Sequence, residues 1–278
     1  TASGEEREPL DVDAIREWVR NNAGELDALA VSSYFSPLDP SHELRAREAI
    51  HEESSLPVVL GHELSTRLDS VKRAATASLN ASLVAVMTEF MNAVIRALDE
   101  RGIRAPLMIV KGDGSLMAYT EAVKKPVETI LSGPAASAVG GNFFTGLRDA
   151  LVIDMGGTTT DIALVKDGRV AVSDEGAHVG RVETSVPAAR VTTVCVGCDS
   201  RITFGEGDET IVGPDRVVPL CRLAVTSPGL VKNLRQLQRT LPSSRRASDL
   251  EYWLLARNVA PDDPLLTTDR QRQLVSRL

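Results

Sequence analysis

Residues 149–170, Asp-Ala-Leu-Val-Ile-Asp-Met-Gly-Gly-Thr-Thr-Thr-Asp-Ile-Ala-Leu-Val-Lys-Asp-Gly-Arg-Val, constrain the fold more than any other stretch. Ala150 to Ile153 is a short apolar run that ends at Asp154. Gly156-Gly157-Thr158-Thr159-Thr160 and a second carboxylate, Asp161, follow, and then a second apolar run from Ile162 to Val165. Lys166-Asp167-Gly168-Arg169 reads as a tight turn. The order is therefore strand, polar glycine turn, strand, turn, strand. A plain hairpin needs a turn of about two to five residues with a glycine. It does not need carboxylates on both sides of Gly-Gly-Thr-Thr-Thr. Paired glycines let backbone N–H groups approach and cup an anion, and threonine hydroxyls add donors. Asp154 and Asp161 are hard oxygen ligands suited to Mg²⁺ or to orienting a water. The stretch is expected to hold a nucleotide phosphate.

The rest of the chain alternates strands and helices, which indicates an α/β layer architecture. A helix is expected over 11–23 with Asp11 as its cap, strands over 28–33 and 57–60, and a helix capped by Ser41 that runs through His51. The longest helical pattern covers 69–101. Val71, Ala75, Leu79, Leu83, Val86, Phe90, Val94 and Leu98 form its expected apolar stripe, and Gly102 stops it. Leu107–Val110 is a strand that leads into Lys111-Gly112-Asp113-Gly114. Ser132-Gly133-Pro134 reads as a helix start, with Ser132 as cap. Residues 177–225 have β-like composition, and 228–278 read as a basic helical segment. The expected domains are 1–148, 149–227 and 228–278.

Composition narrows the function. The net charge of −7 argues against a nucleic-acid backbone binder, and no unbroken apolar run approaches the length of a membrane span. Three cysteines, Cys195, Cys198 and Cys221, with no secretion signal at the N-terminus, suggest a reducing, cytoplasmic compartment. Cys195-Val196-Gly197-Cys198 is a lone C-x-x-C. A zinc site recruiting Cys221 and His178 has irregular spacing, so small residues in a strand and turn are the better reading. His42-Glu43 reads as capping and surface packing; His62-Glu63 has more interest because it ends a strand. Both chain ends read as cut, so a piece of a longer protein is expected. In an open α/β sheet, ligands bind off the carboxyl ends of strands. Gly112-Asp113-Gly114, Ser132-Gly133-Pro134 and Asp154-Met155-Gly156-Gly157 are therefore expected to share one cleft, with the helix start adding its positive end.

At these residues a family resemblance emerges. Asp154-x-Gly-Gly-Thr-x-Thr-Asp161 resembles the phosphate hairpin of the hydantoinase A/oxoprolinase family, within the actin-like (ribonuclease H-like) ATPases. Ala30–Pro37 with Asp39–Glu43, Thr76–Ala81, Gly112–Gly114, Leu131–Ala136, Val196-Gly197, Asp199–Ile202 and Gly213-Pro214 resemble other family segments in order. The resemblance covers about residues 10–225. It implies ATP-dependent opening of a cyclic amide such as a hydantoin or 5-oxoproline, with ATP and Mg²⁺ as cofactors. Phosphorylation of the amide oxygen would make a leaving group for water. It further implies that Gly156, Gly157, Thr158 and Thr159 bind phosphate, that Asp154 and Asp161 position Mg²⁺ or water, and that Gly133 and Gly114 line the cleft. A second hydantoinase-type subunit and an oligomer of the full-length protein are implied too. Related proteins form ATP-using subunits of ketone carboxylases, which is one alternative; a non-catalytic nucleotide-sensing or assembly module is another. Two departures stand out. The family's earlier Asp-x-Gly-Gly-Thr hairpin is absent from residues 1–153, so half a nucleotide site and an inactive fragment are expected. Cys195 and Cys198 stand in a segment that is usually glycine-rich.

Overall fold

The structure is a computed structural model that describes residues 5–204, 209–227 and 229–239. The chain divides into two compact units, Thr1–Val194 and Cys195–Leu278.

The first unit opens with α1 (Val12–Asn22), capped by the Asp11 carboxylate, which accepts from the Ala14 N–H at 2.9 Å. Strand β1 (Leu29–Val31) and α2 (Ser41–Glu53) follow. Ser41 is the first helical residue of α2 rather than its cap; the Asp39 carboxylate takes the Ser41 N–H instead, at 3.0 Å. Strand β2 (Val58–Leu60) lies parallel to β1, and the single turn α3 (Gly61–Leu64) follows it directly.

The long helix α4 (Ser70–Glu100) ends at Gly102 (φ 68°), as its glycine stop requires. Its buried face is not the expected stripe. Arg73, Thr76, Ala77, Asn80, Ala81, Val84 and Met91 are buried. Val71, Val86 and Phe90 are 78%, 65% and 59% exposed. Small residues let the helix approach the core closely, and its polar residues tie loops to it. Asn80 donates to Lys124 O at 2.8 Å and accepts from Val127 N at 3.1 Å; the Thr76 hydroxyl accepts from Ser185 N at 2.8 Å. A buried side chain that satisfies backbone groups fixes a helix face as firmly as a leucine does. The core beneath gathers Val59, Leu64, Ala77, Ala81, Val84, Val127 and Val186. By length and composition alone, α4 is also long and apolar enough to cross a membrane. Counting unbroken apolar runs passes over this, because Ser78, Asn80 and Ser82 interrupt the run without making the helix strongly polar.

Strands β3 (Met108–Val110) and β4 (Leu116–Ala118) form a hairpin around Lys111–Ser115, and α5 (Tyr119–Lys124) leaves it. Helix α6 (Ser132–Thr145) starts after Leu131 in the left-handed conformation (φ 62°), with no side-chain cap, so Ser132 does not serve as one. Then come β5 (Ala150–Met155), β6 (Thr160–Lys166) and β7 (Arg169–Val170). The short strands β8 (Val172–Ser173), β9 (His178–Val179), β10 (Val182–Glu183) and β11 (Ala188–Ala189) lead to β12 (Val191–Val194). Strands β12, β6 and β5 form an antiparallel sheet in that order, with β7 also on β6.

The second unit pairs β13 (Ser200–Phe204) with β14 (Thr210–Arg216). It continues with α7 (Leu220–Thr226) and α8 (Gly229–Gln238). The β-like reading to residue 225 therefore stops at Arg216. Its valines and isoleucines suit a strand, but Leu220–Thr226 takes helical form after Pro219. The expected helical pattern beyond residue 239 lies outside the described residues.

Candidate functional site

The hairpin forms as expected, and its register decides what it can do. Ala150 pairs with Val165, Val152 with Ala163, and Asp154 with Asp161. Directly opposed residues of an antiparallel pair share one face. Along that face the first two pairs pack under α6: Ala138, Ala163 and Val165 are buried, with Ala150, Val152, Val170 and Val191 against them. The third pair, at the strand ends, is two carboxylates.

Each carboxylate is held by one hydroxyl. The Ser137 hydroxyl of α6 donates to Asp154 Oδ2 at 2.6 Å, and the Thr193 hydroxyl of β12 donates to Asp161 Oδ1 at 2.6 Å. Thr193 lies directly opposite Asp161 in the sheet. Among the described residues the second oxygen of each aspartate has no hydrogen-bond donor. Sequence reasoning missed Ser137 and Thr193. Ser137 is five residues after the recognised helix start, so the signal was near; Thr193 depends on strand pairing, which no local pattern announces.

The turn itself is partly spent. Gly156 N–H donates to Thr159 O at 2.8 Å and closes it. Among the described residues the N–H groups of Gly157, Thr158 and Thr159 have no partner. A Cβ on Gly157 would meet nothing within 4 Å, so the approach to these amides is open. Gly133 lies in the first turn of α6, one helical turn before Ser137, and a Cβ there also meets nothing within 4 Å. The start of α6 therefore lies toward the hairpin tip. Gly114 is elsewhere in character: at φ 85° it turns the β3–β4 hairpin, and a Cβ would contact Val139 of α6 and Val170 of β7 at 3.2 and 3.6 Å. Gly114 thus packs the first glycine turn against α6 and β7.

The donor set fits Mg²⁺ bound together with phosphate. Magnesium takes one or two carboxylates and completes its shell with water and phosphate oxygens. Asp154 and Asp161 supply two carboxylates on one face. Among the described residues no three of His, Cys, Asp and Glu form a metal-holding group. Cys195, Cys198 and Cys221 are free and exposed, Cys221 on α7.

A second polar cluster lies at the carboxyl ends of β1 and β2. Glu43 is fully buried, and its carboxylate accepts from Ser33 N at 2.8 Å, His62 N at 3.0 Å and His62 Nδ1 at 2.7 Å. Burial pushes the Glu43 pKa up, but the His62, Ser36 and Ser33 donors outweigh it and hold the group below its ordinary value. Arg73, also fully buried, donates to Arg67 O, Ser33 O and Tyr34 O, and its Nε has no partner. Glu43 is therefore no surface residue, contrary to the reading of His42-Glu43 as capping and surface packing. The two partners of the dyad are 19 positions apart, so the sequence shows two separate His-Glu pairs and not the cross-pairing.

An α/β framework, a carboxylate pair and an open glycine–threonine turn make a constellation whose chemistry suits a phosphate group. Comparison with known proteins makes this specific. The Hydantoinase/oxoprolinase family model matches residues 73–220, more than half of the chain, and the Hydantoinase/oxoprolinase N-terminal region matches residues 1–54. The chain belongs to the hydantoinase/oxoprolinase family. It is 30% identical over 239 residues to caprolactamase subunit alpha of Pseudomonas jessenii, covering 83% of this chain and 33% of that protein. It is 28% identical over 226 residues to the acetophenone carboxylase gamma subunit of Aromatoleum aromaticum, covering 77% of this chain and 29% of that protein. The crystal structure of the ATP-dependent caprolactamase from Pseudomonas jessenii superposes with a TM-score of 0.65 at 27% identity, over 77% of this chain and 31% of that one. The chain thus spans 29–33% of the caprolactamase and acetophenone carboxylase subunits and 15–18% of the 5-oxoprolinases it matches.

Proposed function

We propose that this chain is part of an ATP-dependent amidohydrolase that opens cyclic amides of the hydantoin or 5-oxoproline type. The observation that carries this reading is the hairpin tip, where Asp154 and Asp161 oppose each other beside turn amides that have no partner among the described residues. The N–H groups of Gly157, Thr158 and Thr159 would receive phosphate oxygens, and the start of α6 at Gly133 would add its positive end. Asp154 and Asp161, steadied by Ser137 and Thr193, would hold Mg²⁺. Bound there, the metal supplies charge neutralisation for a transferring phosphoryl group. ATP would phosphorylate the amide oxygen and leave as ADP. Water adding to the activated carbon would give an adduct whose C–N bond breaks to open the ring, with the nitrogen leaving as the amine. A second water would hydrolyse the resulting acyl phosphate to carboxylate and phosphate. The hairpin would form one wall of an actin-like cleft in a cytoplasmic protein that works with a second subunit.

The test uses the full-length protein with any partner subunit. Amide-dependent ATP hydrolysis is expected to vanish in Asp154→Ala and in Asp161→Ala; normal turnover in both overturns the reading. For the 278-residue chain alone we expect weak or no Mg-ATP binding by calorimetry, because it holds one phosphate hairpin. Similarity to the acetophenone carboxylase gamma subunit supports a second reading, an ATP-using carboxylase subunit. A requirement for bicarbonate and a ketone in place of a cyclic amide would favour it.

A further inference from the structure

The Glu43–His62 dyad has no part in the phosphate chemistry above, yet its construction is that of a presented functional group. Strands β1 and β2 are parallel, and Ser32–Ser33 and Gly61–His62 follow their carboxyl ends directly. Ligands bind outside such ends in α/β sheets. The two connections are pressed together: a Cβ on Gly61 would lie 2.8 Å from Ser32 Oγ and 3.1 Å from Arg73 Cγ. A side chain at residue 61 would crowd Ser32 and Arg73, so glycine eases the close approach that sets His62 over Glu43.

The chemistry of the dyad sets the tautomer. Glu43 is ionised at neutral pH and accepts only. The His62 nitrogen at 2.7 Å from it, Nδ1, must therefore carry the hydrogen. In the neutral imidazole, Nε2 then presents a lone pair. Among the described residues Nε2 has no hydrogen-bond partner, and the side chain is 18% exposed. Two backbone donors already serve the buried carboxylate, so holding the loops together does not require an imidazole. In its neutral form the imidazole adds an oriented acceptor at the edge of the parallel strands. A lone pair suits a neutral N–H donor and repels an anion.

We propose that His62, aimed by Glu43, is a substrate-binding residue whose Nε2 accepts a hydrogen bond from the ring N–H of a cyclic amide. The proposal rests on the cyclic-amide reading of the hairpin. Glu43 is a positioning residue that acts through His62.

The experiment uses the full-length protein, labelled at its histidine nitrogens, with hydantoin, 5-oxoproline and caprolactam as probes. At least one probe is expected to shift the His62 Nε2 resonance. His62→Ala is expected to raise the KM for the amide about tenfold, the loss of one neutral hydrogen bond, while the KM for Mg-ATP holds. His62→Gln, whose amide oxygen can accept, should restore part of the loss. Glu43→Gln should give a mixed His62 tautomer signature. If none of the three amides moves the resonance, or if only inorganic phosphate or Mg-ATP moves it, the proposal is overturned whatever the activity. A folded His62→Ala with an unchanged amide KM overturns it while leaving the hydrolase reading intact. A shift with amides in a protein that shows no amide-dependent ATP hydrolysis supports the binding role and removes the hydrolase reading instead.

Discussion

Two glycine turns in the first unit look alike in sequence and are opposites in the structure. In Lys111–Ser115 nearly every polar group is used inside the protein. Gly112 N–H donates to Glu128 O at 2.7 Å, Gly112 O accepts from Ala189 N at 2.6 Å, and Gly114 N–H returns to Lys111 O at 3.0 Å. The Asp113 carboxylate takes the Ser115 N–H at 2.9 Å and its hydroxyl at 2.6 Å, and Lys111 pairs with Glu128 at 2.8 Å. In Gly156–Thr159 one hydrogen bond closes the turn and three N–H groups remain unpartnered among the described residues. Glycine serves close packing in the first turn and open access in the second. The difference separates a turn whose polar groups are spent inside the protein from one whose N–H groups are open to a ligand, without reference to motif names.

The largest effect should come from Gly112→Ala. A Cβ there would sit 2.0 Å from Ile130 O, a backbone atom, so something must shift. A loss of more than about 3 kcal/mol in unfolding free energy is expected, read by denaturant melts. A stable Gly112→Ala protein would break the comparison.

Next is Asp154→Asn or Asp161→Asn. Amide-dependent ATP turnover should fall more than about 100-fold, the scale of losing an electrostatic contact to a transition state. Stability should hold or rise by about 0.2–1 kcal/mol, because like charges directly opposite on paired strands repel. A variant that is less stable and fully active would identify the pair as structural.

Gly157→Ala should leave the melting temperature within a degree or two, since the added methyl meets nothing within 4 Å. Mg-ATP affinity of the full-length protein should weaken about tenfold if phosphate comes close to this backbone. Unchanged affinity would show that the open turn is not used.

The smallest effect concerns Asp113. Burial raises its pKa, but the Ser115 donors and Lys111 prevail and hold it below the ordinary aspartate value. A depressed folded-state pKa contributes stability above the unfolded pKa, near 4, and loses it as pH falls through the folded value. Asp113→Asn should therefore cost about 1 kcal/mol at pH 7, with the gap to wild type closing below about pH 4 and no effect on nucleotide binding. A gap that persists at low pH would assign the cost to shape rather than charge.

Local pattern carried much of this. Asp11 caps α1 and Gly102 stops α4 because such signals act within a few residues. The hairpin was legible for the same reason, since strand, turn and strand are contiguous. The α4 stripe misled because periodicity finds apolar residues, whereas the core selected a small and polar face through Thr76 and Asn80.

By itself, the sequence determined the α/β alternation, the glycine–threonine hairpin with Asp154 and Asp161, and the family, because these rest on contiguous residues and their order. Only the tertiary structure decided which glycine turn is spent and which is open. It alone placed Ser137 and Thr193 on the carboxylates and joined Glu43 to His62. The reason is physical: hydrogen-bond partners across 17, 19 and 32 positions are chosen by packing and register, which local propensity does not encode.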